Sequence, residues 1–259
     1  MAMDRSTVGI GVVIGLEAHK LARGTVVRAA TAAALVLVMA TTVGGYAAAM
    51  HAGGTDLGRK AASMVTSPGW DGYTALGVTS VSVTMLLAVG VVMSWSTGRE
   101  FVDGTVVGLF AIPPPLGIIA AAKMAVVLTW ATILGAVEAG ALTTAGLLLG
   151  LGPKGAAGGY TALMLVAALL SASVLPVMWA ATRWRGYLAG IGLTLVILVV
   201  ANLAAGFGLG SYVPWSIPIV WASHQTEVST PLLATPVMTA AIGAWVTLRS
   251  WDRLQIGAD

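Results

Sequence analysis

The stretch TGREFVDGTVVGLFAIPPP, residues 97–115, lies between two long apolar runs. It places Arg99, Glu100 and Asp103 close together in a chain of 259 residues that is 58% hydrophobic and only 9% charged. So little charge cannot cover a globule of this length with polar groups, and the mean hydropathy is +0.92. The composition therefore predicts an integral membrane protein, in which this stretch is a polar connection between two membrane helices.

The same composition argues against several other kinds of protein. The chain has no cysteine, which excludes a disulfide framework, and its net charge of +3 gives no support to a nucleic-acid partner. The histidines at 19, 51 and 224 lie far apart, so no metal site is predicted. No nucleophile–base pair is evident, and no catalytic residue is predicted.

Six segments are long and apolar enough to cross a bilayer as helices, which requires about 20 residues each. They are residues 27–50, 73–95, 118–149, 160–181, 187–207 and 232–248. We therefore predict an all-α protein with a single transmembrane domain over residues 1–259. The linker from Gly208 to Pro231 is rich in Pro, Gly and Trp, which predicts short interfacial or re-entrant helices between spans 5 and 6.

Residues 1–26 precede the first span and lack the small-residue cleavage pattern of a signal peptide. We interpret them as a cytoplasmic segment containing a helix that lies on the membrane surface. In a helix, one side carries Ile14, Ala18, Leu21 and Thr25, and another side carries Glu17, Lys20 and Arg23.

The basic residues divide unevenly between the two sides of the predicted bundle. One side has Arg59, Lys60 and Lys154, and the other has Arg5, Lys20, Arg23, Arg28, Arg99, Lys123, Arg183, Arg185, Arg249 and Arg253. The positive-inside rule places the second set in the cytoplasm. Both termini and the stretch at 97–115 are then cytoplasmic.

Within that stretch, Thr97 and Glu100 have the spacing of a capping box, which predicts a helix beginning at Thr97. The three prolines at 113–115 would end it. One of its faces is apolar, and the other contains Glu100, Gly104, Gly108 and Ala111 and is nearly bare. A bare face allows a second protein to approach closely. The alternative is an amphipathic loop helix that only packs under the bundle.

Residues 98–123, GREFVDGTVVGLFAIPPPLGIIAAAK, resemble the intracellular loop of ABC-2 type permeases, the membrane subunits of one class of ABC transporter. Glu100, the pair Gly104–Thr105, Pro113 and Lys123 match that family's pattern. The segment LEAHKLARGTVVR, residues 16–28, and the tail RSWDRLQIGAD, residues 249–259, are also similar to the family's ends. The triple proline departs from the family, which usually has one proline followed by a polar or basic residue.

The resemblance implies a permease subunit of a bacterial plasma-membrane exporter, paired with an identical or different second permease and two cytoplasmic ATPases. The loop would be a coupling helix that docks on the ATPase, with contacts from Arg99, Glu100, Asp103, Gly104, Thr105, Gly108 and Pro113. The chain has no G-x-x-x-x-G-K-[ST] phosphate loop. ATP and Mg would therefore be bound by the partner, and we predict no cofactor in this chain.

The cargo expected from the apolar spans and short loops is an amphipathic drug, a peptide antibiotic or a lipid-like molecule. A carboxyl at membrane depth is a functional candidate, so Glu138 could bind cargo or carry a proton, or it could be a protonated structural group. Asn202 could line the pathway or make an interhelical hydrogen bond. Met85 and Met93 could offer a soft lining or belong to the core.

Two other functions remain open at this point. One is an ion-coupled secondary transporter that uses Glu138, although the two halves show no convincing internal repeat. The other is a membrane scaffold or sensor that transports nothing.

Overall fold

The computed structural model describes residues 10–51, 54–65, 67–223 and 228–255. All regular elements in these ranges are helical. In chain order they are α1 (Ile10–Arg23), α2 (Thr25–Val38), a π-helix (Met39–Gly44), α3 (Gly45–His51), α4 (Asp56–Met64), α5 (Gly69–Val102), α6 (Val106–Leu109), α7 (Leu116–Leu148), α8 (Ala156–Ser173), α9 (Pro176–Arg183), α10 (Tyr187–Gly206), α11 (Ile217–Ala222) and α12 (Ala234–Asp252), with 3₁₀ turns at Gly210–Tyr212 and Thr230–Leu233.

Six of the described helical segments are long and apolar enough to span a membrane, which confirms the six-span prediction. Spans 1 to 6 are Thr25–His51, Gly69–Val102, Leu116–Leu148, Ala156–Arg183, Tyr187–Gly206 and Thr230–Asp252. Span 4 is interrupted between α8 and α9, where Pro176 begins the second helix and cannot continue the hydrogen bonding of the first.

Span 2 forms the centre of the bundle and packs against spans 1, 3, 4 and 5. Two glycines allow span 5 to approach it closely. A Cβ atom built at Gly90 would collide with the side chain of Thr194, and one built at Gly98 would overlap the backbone of Tyr187. Close backbone approach through small residues is how membrane helices gain packing without a hydrophobic driving force.

The predicted helix start at Thr97 is wrong, because span 2 continues without a break to Val102. Thr97 is fully buried inside this helix, so its capping-box spacing to Glu100 has no capping role. Gly104, with φ +68°, is what turns the chain. A left-handed glycine just after a helix is a common termination signal. The separate helix that remains before the prolines is a single turn, Val106–Leu109.

Helix α1 forms as predicted, but it buries a different face. Val13, Glu17 and Leu21 are buried, whereas Ile14 and Ala18, which the pattern assigned with Leu21 to one side, are exposed. Val13 packs in a small cluster with residues of spans 3 and 6, namely Ile119, Ala120, Ala122 and Trp251. The sequence pattern assigned the wrong face to the interior because it placed Glu17 on the polar side, whereas an ion pair allows Glu17 to be buried.

The linker between spans 5 and 6 contains the short helices that its composition predicts. Helix α11 lies against α8 and span 2, with Ile217, Ile219 and Val220 buried. The indole of Trp215 donates to the carbonyl of Ser173 at the interruption in span 4, with 3.0 Å between the two atoms. Trp215 therefore supports the bundle here, whereas Tyr212 is exposed.

Candidate functional site: a buried ion cluster beside the loop between spans 2 and 3

Three charged residues from distant parts of the chain meet in the interior. The ammonium of Lys123 in span 3 lies 2.7 Å from Glu17 Oε2 of α1 and 2.7 Å from Glu100 Oε1 of span 2. It also donates to the backbone carbonyl of Ser96, at 3.3 Å. All three charged side chains are at least nine-tenths buried. This ion cluster therefore joins three separate elements at one end of the bundle.

Lys20 adds a second cation at the edge of the ion cluster. Its ammonium lies 2.6 Å from Glu17 Oε1 and 3.6 Å from Glu100 Oε1, and its side chain is 40% exposed. When Lys20 is counted, the cluster contains two carboxyl groups and two amino groups, so its formal charges cancel. One carboxylate oxygen, Oε2 of Glu100, has no hydrogen-bond partner among the described residues.

The electrostatics favour the ionised form of Glu17. Burial by itself raises the pKa of the Glu17 carboxyl. The charges and hydrogen bonds of Lys123 and Lys20 lower it by more, so the pKa of Glu17 is below its usual range. A buried ion pair is costly to desolvate, yet removing one partner is strongly destabilising because the other is left uncompensated. The cluster therefore holds its three elements together as a unit.

The ion cluster brackets the loop between spans 2 and 3. Glu100 lies in the last turn of span 2, and Lys123 lies two turns into span 3. Between them, residues 103–115 are mostly exposed. Span 2 has 34 residues, about 50 Å of helix, which exceeds a hydrocarbon core of about 30 Å. An end of span 2 can therefore project beyond the hydrocarbon and carry this loop.

The predicted coupling residues separate into two groups. Five of them lie in the exposed loop: Asp103, Gly104, Thr105, Gly108 and Pro113. Arg99 is half-buried, with its guanidinium stacked 4.4 Å from the ring centroid of Trp95. Glu100 is 4% exposed and points into the ion cluster. The predicted bare face that joined Glu100 to Gly104 and Gly108 does not exist, since the chain turns at Gly104.

Sequence reasoning gave no role to Glu17 or Lys123 in an ion cluster. Their signal was available, because charged residues are few in this chain and a charge near membrane depth needs a partner. What the sequence could not supply was the pairing, since Glu17 and Lys123 are 106 positions apart.

Glu138 lies fully buried in span 3, away from the ion cluster. Its Oε2 lies 3.4 Å from Thr84 Oγ1 of span 2, and its Oε1 has no partner in the described part of the chain. Asn202 donates to the carbonyl of Leu198 at 2.9 Å and accepts from Ser82 of span 2 at 3.5 Å. Asn202 therefore contacts span 2 from span 5, and its role in a pathway stays a prediction.

Met85 and Met93, the other predicted pathway residues, are fully buried in span 2. The terminal methyl of Met85 lies beside Gly135 of span 3. In this conformation of the chain, both side chains belong to the packed core.

The fold and the charges define a multi-pass helical membrane protein with a tightly held connection between spans 2 and 3. Comparison with protein families gives the particular group: the family described as ABC-2 family transporter protein matches residues 13–201. The match covers more than two thirds of the 259 residues, including the ion cluster and Glu138. The chain belongs to this family of membrane transport proteins. A search of curated proteins finds no match.

Proposed function

We propose that this chain is the permease subunit of an exporter in a bacterial plasma membrane, with both termini in the cytoplasm. It would pair with a second permease and two cytoplasmic ATPases, and would move an amphipathic small molecule, a peptide antibiotic or a lipid-like cargo. Support comes from membership of the family, the six spans and the excess of Lys and Arg on one side.

The observation that carries the coupling proposal is the ion cluster. Lys123 binds Glu100 and Glu17 at 2.7 Å each, so the two ends of the loop and helix α1 are fixed to one another. A force applied to residues 103–115 would then move α1 and the ends of spans 2 and 3 together. Without the cluster, the same force would bend the loop.

The loop offers a surface suited to a partner protein. Val107 and Phe110 are 56% and 38% exposed, and the acid Asp103 is exposed in the same loop. A contact that combines exposed apolar groups with a charge suits a protein interface. Hydrolysis belongs to the partner in this proposal, because the sequence has no phosphate loop.

The test uses a bulky substitution in the loop that leaves the fold alone. A Cβ built at Gly108 meets nothing within 4 Å, and its backbone is helical, so Gly108→Leu should fold normally. Gly104 is a poorer choice, since its φ of +68° would strain any side chain. Gly158→Leu is the matched control, because Gly158 is equally open and lies at the other end of the bundle.

The tagged chain is purified from its native cells and tested for an associated ATPase and for hydrolysis stimulated by candidate cargo. We expect Gly108→Leu to lose the ATPase or its stimulation, while Gly158→Leu keeps both. If both variants retain an ATPase that responds to cargo, the loop is not the contact. If the unmodified chain brings down no ATPase, the exporter proposal fails.

A second candidate function is favoured by one observation, the unpartnered oxygen of buried Glu138. In an ion-coupled transporter this carboxyl would bind the driving proton. Transport into vesicles that is driven by a proton gradient in the absence of ATP would select this function over the first.

A further inference from the structure

A pocket of about 670 Å³ opens between span 1, span 2 and helix α4. It lies along the first half of span 2, away from the ion cluster at the other end of that helix. Its volume falls in the range of small-molecule sites, which are about 300–1,000 Å³. The pocket shares no residue with the loop between spans 2 and 3.

The wall formed by span 2 runs from Leu76 to Thr84 along one helical face. Thr84 lies eight residues after Leu76, a rise of about 12 Å along the helix, so the pocket is elongated along the bundle axis. The opposite wall includes Ala40, Thr41 and Gly44 from the π-helix of span 1. Short π-helical segments are rare and occur often at functional sites.

The hydroxyl groups in the walls are already satisfied. Thr41 donates to the carbonyl of Leu37 at 2.7 Å and lies 2.9 Å from Ser80 Oγ. Ser80 and Thr84 each bond to a carbonyl one turn earlier. The inner surface therefore presents mainly hydrocarbon to an occupant and suits an elongated apolar group.

One cationic residue lines the pocket. Lys60 lies on the face of α4 that also carries Leu57, Ala61 and Met64, and all four line the pocket. The neighbouring Arg59 pairs with Asp56, whereas no ion pair of Lys60 is found among the described residues. Glu138 has its Oε2 3.4 Å from Thr84 Oγ1 but does not itself line the pocket.

We propose that this pocket binds an anionic amphiphile whose hydrocarbon chain lies between spans 1 and 2 and whose carboxylate or phosphate pairs with Lys60. The elongated apolar walls select the chain, and the ammonium of Lys60 on the apolar face of α4, which has no ion pair among the described residues, selects the charge. The proposal concerns binding to the permease alone. It can therefore fail without affecting the proposed ATPase coupling, and the reverse also holds.

The probe is a long-chain fatty acid with a photoreactive diazirine in its chain, compared with the neutral alcohol of the same chain. The protein is reconstituted in phosphatidylcholine bilayers, and cross-linked positions are located by mass spectrometry. We expect cross-links in the pocket wall, with the acid favoured over the alcohol about fivefold, as one partly exposed ion pair provides. Lys60→Gln should remove that preference and Lys60→Arg should keep it.

Filling the pocket gives an independent check. A Cβ built at Gly44 meets nothing within 4 Å, so Gly44→Leu should place its side chain in the pocket without a collision. Gly192 is equally open on span 5, and Gly192→Leu serves as the control. We expect the first variant to lose the wall cross-links and the second to retain them.

Three results would overturn the proposal. Cross-links distributed evenly over the lipid-facing surface would show that the pocket has no occupant of its own. Equal labelling by acid and alcohol would show that Lys60 selects nothing. A disulfide between two copies of Leu37→Cys that excludes the probe would show that a second subunit fills this space.

Discussion

Glu100 Oε1 lies 2.7 Å from Lys123 Nζ, and this contact joins the last turn of span 2 to span 3 across the exposed loop between them. Since Lys123 also binds Glu17 at 2.7 Å, one buried ammonium fixes three elements. The arrangement makes the cytoplasmic surface in our proposal a rigid unit. It also makes that unit sensitive to the loss of a single charge.

Replacing the central cation should destabilise the fold strongly. Lys123→Met would leave Glu17 and Glu100 buried with only the half-exposed Lys20 as partner. Breaking a buried ion pair by removing one member costs about 3–5 kcal/mol. The thermal unfolding midpoint in detergent should fall sharply, whereas Lys154→Met, at an exposed lysine, should leave it unchanged. Equal midpoints for the two variants would contradict a structural role for the cluster.

The ion cluster also predicts an acid limit to stability. Because the folded-state pKa of Glu17 is lowered, its contribution is present above its ordinary pKa of 4.5 and is lost as the pH falls through the lowered pKa. Unfolding midpoints measured from neutral pH down to about pH 3 should drop in this range. Glu17→Gln should be less stable at neutral pH and should show a shallower drop. Parallel curves for the two proteins would indicate that other carboxyls set the limit.

Glu138→Gln separates a structural from an ion-handling role. Glutamine keeps the size of the side chain and a polar group beside the hydroxyl of Thr84 but cannot ionise, so the unfolding midpoint should remain near that of the unmodified protein. If Glu138 handles a proton or a cationic cargo, transport and its pH dependence should both change. Unchanged transport in a normally assembled complex would make the residue structural.

The contact between spans 2 and 5 should tolerate no side chain at Gly98. A Cβ there would overlap the backbone of Tyr187, which cannot move aside as a flexible side chain could. Overpacking of this kind costs about 1–3 kcal/mol, so Gly98→Ala should lower the unfolding midpoint. Gly192→Ala, at an open position on span 5, should be neutral or slightly stabilising, since alanine is the better helix former.

The proposed orientation can be measured with single cysteines, since the chain has none of its own. Ser63, Thr105 and Ser229 are all exposed and lie in three different connections. A membrane-impermeant thiol reagent added to intact cells should label cysteine at 63 and 229 but not at 105. Labelling at 105 would reverse the orientation.

The sequence by itself determined the class of the protein and the number of its spans. Both follow from hydropathy and length, because each membrane helix satisfies its own backbone hydrogen bonds and needs no distant partner. The loop was also evident from its charges and prolines. The assignment failed at Thr97, where a local capping pattern predicted a helix start and the structure shows the helix continuing to Val102.

Only the tertiary structure decided which charges are buried together. Glu17 and Glu100 look like surface acids in the sequence, and Lys123 reads as one cation in an apolar run. Their burial is compensated only when α1, span 2 and span 3 place each carboxylate 2.7 Å from the ammonium of Lys123. The pocket beside Lys60 is hidden in the same way, because its walls come from three helices. The hydrophobic periodicity of one helix predicts which of its faces is apolar. Ion pairs and cavities depend on which helices are neighbours, and a single helix does not contain that information.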